Sequence, residues 1–256
     1  MIKISSLYRQ MHREPRFYAS LFFGVILLGL SLLANYGANL YTSYQTVTIA
    51  RDLLLDHLPI VNLEYLYLEG FLLLVGFVIF LALYRPNRLP FLLKTIALFI
   101  FIRSCLMVLT HLTVPLPEGA ITTYAPSGSL VASFSSGNDL FFSLHTGFPF
   151  LLALVFWKEK ILRNIFVILS GIFGLTVLLA HVHYSIDVFS AFFITYTIYH
   201  LSVWLFLKDH ELFHVLLVSD DPAKSDLERP SLKLRGRQIA QGLTERSKAN
   251  ASRQTV

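Results

Sequence analysis

Cysteine and charged residues are scarce in this chain. Its 256 residues include one cysteine, Cys105, which excludes an intrachain disulfide and a cysteine-rich metal site. Charged residues make up 14% of the chain, whereas a soluble domain carries about a quarter. Apolar residues make up 55%, and several runs exceed the roughly 18 residues that a bilayer-spanning helix needs. The composition therefore predicts an all-α, polytopic membrane protein.

Six apolar segments predict six transmembrane helices. They lie at about residues 17–36, 67–84, 90–111, 140–157, 164–182 and 185–206. Lys and Arg are absent from 112–139 and occur in 37–66 only as Arg51, although the remaining connections and both ends of the chain contain many. Because cytoplasmic loops carry the excess of Lys and Arg, we expect both termini in the cytoplasm. This distribution also accounts for the net charge of +5 without a nucleic-acid partner.

Polarity divides the chain into three parts. We expect residues 1–16 to form a basic cytoplasmic arm and residues 17–207 to form the six-helix membrane domain. Residues 208–256 are polar and mixed in charge, so a largely disordered cytoplasmic tail is predicted. The few basic residues outside and the compact loops favour a bacterial inner membrane. In that membrane the outer ends of the helices would face the periplasm.

Three ionisable side chains lie at the outer ends of apolar segments. His145 lies about five residues into the fourth span, and His183 and Asp187 lie in the turn between the last two spans. Ionisable residues are costly near hydrocarbon, so such groups are candidates for a functional site. His183 and Asp187 are four residues apart, a spacing that places both on one face of a helix. We predict that the three side chains form one site near the outer leaflet.

These groups suit phosphoryl-type transfer through a covalent histidine intermediate. His183 would attack phosphorus, while Asp187 would orient its ring and stabilise the positive charge. His145 would protonate the departing oxygen and then take a proton from water or an acceptor alcohol. The scheme needs no metal and no cofactor. The same side chains, together with His181, are also of the types that bind Zn²⁺, so a non-enzymatic metal-binding membrane protein is an alternative.

A buried arginine is predicted in the third span. Arg103 lies about 12 Å from the outer end of that span at the helical rise of about 1.5 Å per residue. Such a residue must face the bundle interior or a polar cavity. It either binds the phosphate of a substrate or forms a structural pair with Glu69 or Asp52.

Two further polar residues lie close to the histidines in sequence. Asp139 either caps the fourth span, because aspartate is favoured at helix starts, or positions His145. His181 either lies near the substrate or braces the turn before His183. We therefore count Asp139 and His181 as candidates for substrate binding.

The two histidine motifs resemble those of the sphingomyelin synthase family. Ser143-Leu144-His145-Thr146 is similar to the third motif of that family, and the run from His181 to Asp187 is similar to the fourth. Arg103 and the later Thr113-Val114-Pro115 resemble the second motif, and Asp52, Asp56-His57 and Glu69 resemble residues around the first motif and the span after it. The likeness thus covers about residues 50–205. That family belongs to a wider lipid phosphatase and phosphotransferase superfamily, which includes the type 2 phosphatidic acid phosphatases.

The resemblance implies a six-helix enzyme that acts on a membrane phospholipid. Members transfer a phospho-headgroup from a glycerophospholipid to a ceramide hydroxyl, or hydrolyse such lipids in the manner of phospholipase C. For this chain we expect a membrane phospholipid as donor and diacylglycerol or a ceramide-like lipid alcohol as acceptor. Carried over by position, His183 is the nucleophile, Asp187 its partner and His145 the acid–base group. Ser143 and Tyr184 are the remaining positions that the resemblance places at the substrate.

A lipid phosphate phosphatase is the alternative within the same superfamily. Its typical members carry a Lys-six-residues-Arg-Pro motif and an arginine before the nucleophilic histidine, and both are absent here, the latter from 174–180. The chain instead has the Ala-His-x-His-Tyr run of the synthase branch, at residues 180–184. One position departs from the synthase pattern, because Leu144 replaces a glycine that permits close approach of the backbone to phosphate.

Overall fold

Helices account for the regular structure of the described residues. The computed structural model describes residues 15–45, 50–110, 112 and 140–218, and these form helices, turns and irregular segments but no strand. The helices are α1 (Pro15–Ser43), α2 (Glu64–Tyr84), a 3₁₀ turn (Pro86–Arg88), α3 (Leu89–Val108), α4 (Leu144–Val155), α5 (Lys160–Leu179), α6 (Ser185–Leu205) and α7 (Leu207–Val218). The all-α fold class is confirmed. Most of the predicted arm and most of the predicted tail lie outside the described residues.

Four of the described helices are long and apolar enough to cross a membrane. They are Phe17–Ser43, Pro86–Val108, Lys160–Leu179 and Ser185–Leu205. The predicted second and fourth spans correspond to shorter apolar helices, Leu68–Tyr84 and Leu144–Val155. These long apolar helices support an integral membrane protein. The count of six spans and the cytoplasmic placement of the termini stay predictions.

Helix α1 is longer than the predicted first span, which ends at residue 36. The helix continues to Ser43 because polar residues after the apolar run are buried, among them Asn39 and Thr42. Asn35 also accepts a hydrogen bond from Ser104 Oγ on α3, at 3.4 Å. Helix α1 packs along α3, so these side chains lie at a helix interface. Polar groups that bond across such an interface hold helices together in a bilayer.

Helix α4 begins four residues later than the predicted fourth span. Phe141 has a φ of 84°, a left-handed conformation that an α-helix does not contain. Ser143 then takes the N-cap position, and its Oγ accepts from the backbone N–H of Thr146 at 3.4 Å. Helix α4 packs against both α5 and α6, and α3 also contacts α6.

A buried polar cluster joins α1, α3 and the start of α7. Lys94 Nζ lies 2.5 Å from Asp209 Oδ2 and 2.6 Å from Ser20 Oγ, and Ser20 Oγ donates to Asp209 Oδ1 at 2.5 Å. The Lys94 residue is only 5% exposed, and its ammonium also lies over the rings of Phe23 and Phe206. An ammonium is costly in apolar surroundings unless it is paired, so Asp209 is what makes its burial tolerable. The chain divides into two units after His210, and the smaller is represented here by residues 211–218, the end of α7.

Removing the carboxylate of Asp209 should leave the buried Lys94 ammonium without its ion-pair partner. We expect Asp209→Ala to destabilise the protein by about 3 kcal/mol, because breaking a buried ion pair leaves one charge uncompensated. The midpoint of thermal unfolding of the detergent-purified protein measures this loss. Replacing both partners, as Lys94→Met with Asp209→Leu, should recover most of it. Lys208→Met, at an exposed lysine, is the control, and equal shifts for Asp209→Ala and Lys208→Met would contradict the assignment.

Candidate active site

The turn between α5 and α6 holds the first part of the site. Nδ1 of His183 lies 3.3 Å from Oδ2 of Asp187, and both residues are buried, Asp187 completely. The expectation that both lie on one helical face is wrong, because α6 begins at Ser185 and His183 precedes it. Asp187 lies in the first turn of the helix, and His183 reaches it from the preceding turn. The contact therefore depends on the shape of the turn rather than on helical periodicity.

Asp187 is bonded on three sides. Besides His183, its Oδ2 accepts from the backbone N–H of Tyr184 at 3.0 Å, which caps the start of α6. Its backbone carbonyl accepts from the N–H of Ser143 at 3.0 Å. This last bond joins the start of α6 to the start of α4. The helix that carries His145 is thus fixed directly to the aspartate that contacts His183.

His145 is the second residue of α4 and lies beside His183. The two imidazole rings have their centroids 6.4 Å apart. Phe71 and Phe173 form an apolar wall around His145, with ring centroids 4.8 Å and 6.4 Å from its own. The structure thus brings together the three residues for which a shared site was predicted. Their catalytic roles remain predictions.

Arg103 supports the segment that precedes His145. This residue is 2% exposed, and its Nε donates to the carbonyl oxygen of Phe142 at 3.3 Å. Its charge also lies within electrostatic range of the His145 ring. The predicted pair with Glu69 or Asp52 is wrong. Glu69 is exposed, and the carboxylate of Asp52 is bound to backbone N–H groups instead.

The remaining predicted residues differ in where they lie. Asp139 is outside the described residues, and the N-cap of α4 that it was expected to supply belongs to Ser143, which is fully buried. Tyr184 is 2% exposed, and its hydroxyl accepts from the N–H of Ala50 at 3.0 Å. Buried His181 has a φ of 52°, and its Nε2 has no hydrogen-bond partner among the described residues.

Asp52, weighed above as a partner of Arg103 and as part of the likeness to the first motif, contacts the start of α6. Its Oδ2 accepts from the N–H of Ser185 at 2.6 Å, and its Oδ1 accepts from Leu54 and Leu55 at 2.9 Å and 3.2 Å. Burial raises the pKa of the Asp52 carboxyl, but these hydrogen bonds together outweigh burial and hold that pKa below its usual value. Spacing gave no signal for the bond to Ser185, because the two residues are far apart in the chain.

The geometry is suited to nucleophilic and acid–base chemistry. No group of three or more His, Cys, Asp or Glu residues is placed to hold a metal ion in the part of the chain that the structure describes. A histidine with one ring nitrogen held by a carboxylate presents the other for attack. A second histidine close by can move a proton.

Gly147 sets how closely α4 approaches its neighbours. A Cβ added there would meet Thr195 Oγ1 at 2.9 Å and the Phe99 ring at 3.1 and 3.2 Å. We expect Gly147→Ala to push α4 and His145 away and to destabilise the protein by about 1–3 kcal/mol. The midpoint of thermal unfolding in detergent measures the effect. Gly171→Ala is the matched control, since a Cβ there meets nothing within 4 Å, and equal losses for the two variants would contradict this account.

Comparison with known proteins bears on the part of the chain that holds both histidines. Residues 136–204 match the family described as PAP2 superfamily C-terminal. Searches of curated proteins and of solved structures found no match. The matched range includes His145, His183 and Asp187, and it ends within α6. This match supports placing the chain in the PAP2 superfamily, whose members act as phosphatases or phosphotransferases on lipid phosphates.

Proposed function

We propose that the chain is a membrane enzyme of the sphingomyelin synthase-like branch. It cleaves the phospho-headgroup from a glycerophospholipid and passes it to a lipid alcohol, such as diacylglycerol or a ceramide-like lipid, or to water. The observation that carries this proposal is the position of His183 beside both Asp187 and His145. Its Nδ1 lies 3.3 Å from Oδ2 of Asp187, and its ring centroid lies 6.4 Å from that of His145. The Ala-His-x-His-Tyr run and the missing phosphatase motifs support this branch.

The first step forms a bond between Nε2 of His183 and the phosphorus of the donor lipid. With Nδ1–H directed at Asp187, Nε2 carries the lone pair that attacks, and Asp187 stabilises the positive ring that results. The bond from phosphorus to the diacylglycerol oxygen breaks, and protonated His145 donates its proton to that oxygen. The products of this step are free diacylglycerol and a phosphohistidine that retains the headgroup.

The second step returns the enzyme to its starting state. The hydroxyl of the acceptor attacks the phosphorus, its proton passes to His145, and the bond to His183 breaks. Acid–base catalysis of this kind contributes about 10² to 10⁴ in rate. His183 is only 5% exposed, and a site that excludes bulk water favours an alcohol acceptor over hydrolysis.

The other roles follow from the surroundings of the two histidines. His181, with a buried Nε2 that has no described partner, is the candidate to contact a phosphoryl oxygen, and Tyr184 and Ser143 shape the pocket beside it. Arg103 holds the Phe142 carbonyl and adds positive charge near the place where phosphate would bind. We further propose a bacterial inner membrane with this site facing the periplasm, on the distribution of Lys and Arg. The reaction as written uses no metal and no cofactor.

Variants of the two histidines test the assignment of roles. In mixed phospholipid micelles with a chelator, wild type should release diacylglycerol, and His183→Ala should lower the rate by at least about 10³-fold. His145→Ala and Asp187→Asn should each lower it by about 10² to 10⁴-fold. Headgroup-labelled donor should leave acid-labile label on wild type and none on His183→Ala. Lipid mass spectrometry and the trapped label are the measurements, and His57→Ala, at an exposed histidine, is the control.

The products separate the proposal from its alternatives. Inorganic phosphate from phosphatidic acid, without release of an intact headgroup from other lipids, would instead establish a lipid phosphate phosphatase, which the family match also supports. No turnover of any lipid, with zinc bound by wild type and lost in His183→Ala, would establish the non-enzymatic metal-binding alternative. Transfer of the headgroup to added ceramide, or to isotope-labelled diacylglycerol, distinguishes transferase from hydrolase.

A further inference from the structure

A segment from the first half of the chain is bound to the turn that carries His183. We call residues 50–62, between α1 and α2, the strap. The N–H of Ala50 donates to the Tyr184 hydroxyl at 3.0 Å, and the N–H of Val61 donates to the Leu179 carbonyl at 2.9 Å. Leu55 and Leu58 of the strap also pack into the apolar cluster that includes Tyr184. The strap is therefore joined to both sides of the turn.

Asp52 is the charged link between the strap and α6. Its Oδ1 holds the first turn of the strap through Leu54 and Leu55, and its Oδ2 accepts from Ser185, the first residue of α6. The residue is 8% exposed, so this carboxylate is largely removed from water. A hydrogen bond to a charged acceptor is about twice as strong as one between neutral groups. Asp52 thus holds Ser185, which lies two residues after His183, by a strong hydrogen bond.

The start of α6 is held by two carboxylates from different segments of the chain. Asp187 binds the N–H of Tyr184 from within the helix, and Asp52 binds the N–H of Ser185 from the strap. Negative groups are favoured at a helix N-terminus, where N–H groups lack helical partners. Between these anchors and α5, the turn includes His181 at a φ of 52°. Such a backbone conformation persists only where the surroundings over-determine it.

We propose that Asp52 is a positioning residue, which acts through the Ser185 N–H to hold the turn so that His183 faces Asp187 and His145. Its role in the reaction rests on the proposed function, but its effect on His183 does not. Asp52 itself touches none of the reacting atoms in this assignment. Misplacing a reacting group by about 1 Å lowers a rate by on the order of 100-fold, so loss of the anchor should affect the reaction more than substrate binding.

Kinetics of strap variants test this role. Asp52→Asn replaces one acceptor oxygen with an amide nitrogen, which cannot accept a hydrogen bond from a backbone N–H. The variant therefore loses part of the hydrogen bonding of Asp52, while the volume of the side chain stays nearly constant. We expect kcat to fall by about 10- to 100-fold with little change in KM. Asp52→Glu, which keeps the charge and both acceptor oxygens, should recover part of the loss. Asp56→Asn is the matched control, because Asp56 is an exposed aspartate of the same strap, and it should behave as wild type.

Chemical modification tests the same role without enzymatic turnover. Diethylpyrocarbonate acylates accessible imidazoles, and mass spectrometry gives the rate for each histidine. Release of a charge-assisted hydrogen bond should raise local opening of the turn, so Asp52→Asn should accelerate modification of His183 by about tenfold or more. His210, which packs against Phe91, should keep its wild-type rate, whereas general unfolding would accelerate both.

The outcomes separate this inference from the proposed function. If wild type turns over no lipid but Asp52→Asn selectively accelerates modification of His183, the positioning role stands and the proposed function fails. If wild type is active and Asp52→Asn matches Asp56→Asn in kcat and in the modification of His183, Asp52 is no positioning residue. Equal acceleration of His183 and His210, with a lower unfolding midpoint, would show only a structural role and would also overturn the inference.

Discussion

One buried residue, Asp187, joins the two halves of the candidate site. Oδ2 serves both the His183 ring and the N–H of Tyr184, and the backbone carbonyl of the same residue accepts from Ser143. A carboxylate with no exposure to solvent is tolerated only where hydrogen bonds replace those it made to water. The bonds to Oδ2 fix the turn and the orientation of His183, and the bond from Ser143 to the backbone carbonyl fixes the start of α4 beside them.

Closely packed helices surround this arrangement. Gly147 and Gly174 allow close packing of α4 with α5 and α6, since a Cβ at either would lie within 3.4 Å of a neighbouring side chain. Away from the histidines, Lys94 and Asp209 pair in apolar surroundings and join α1, α3 and the start of α7. Among the described residues, buried Lys94 pairs with Asp209 and buried Asp187 contacts His183, as expected of charged groups in a low-dielectric setting. The turn that carries His183 therefore lies between two packed helices, α5 and α6.

Several local expectations were overturned by contacts that lie outside the local pattern. An apolar run from residue 140 reads as continuous helix, yet Phe141 adopts a left-handed conformation and α4 begins only at Leu144. The segment before α4 is held by Thr110, whose hydroxyl donates to the Leu140 carbonyl, and by the bond from Arg103 to Phe142. Neither bond has a periodic signature. The spacing of His183 and Asp187 predicted that the two residues are close, and they are. The predicted reason, a shared helical face, is wrong, because His183 precedes the start of α6.

The sequence by itself determined the helical, membrane-type character of the chain and singled out His145, His183 and Asp187 as candidate site residues. Apolar runs of sufficient length dictate helices in a bilayer, and ionisable residues at their ends are costly enough to mark a site. Only the tertiary structure decided which groups hold those residues: Asp52 on Ser185, Arg103 on Phe142 and Asp187 on Ser143. Each of these bonds joins residues far apart in the chain. Helix packing decides which distant backbone groups come close to these side chains. No local pattern of residues encodes that.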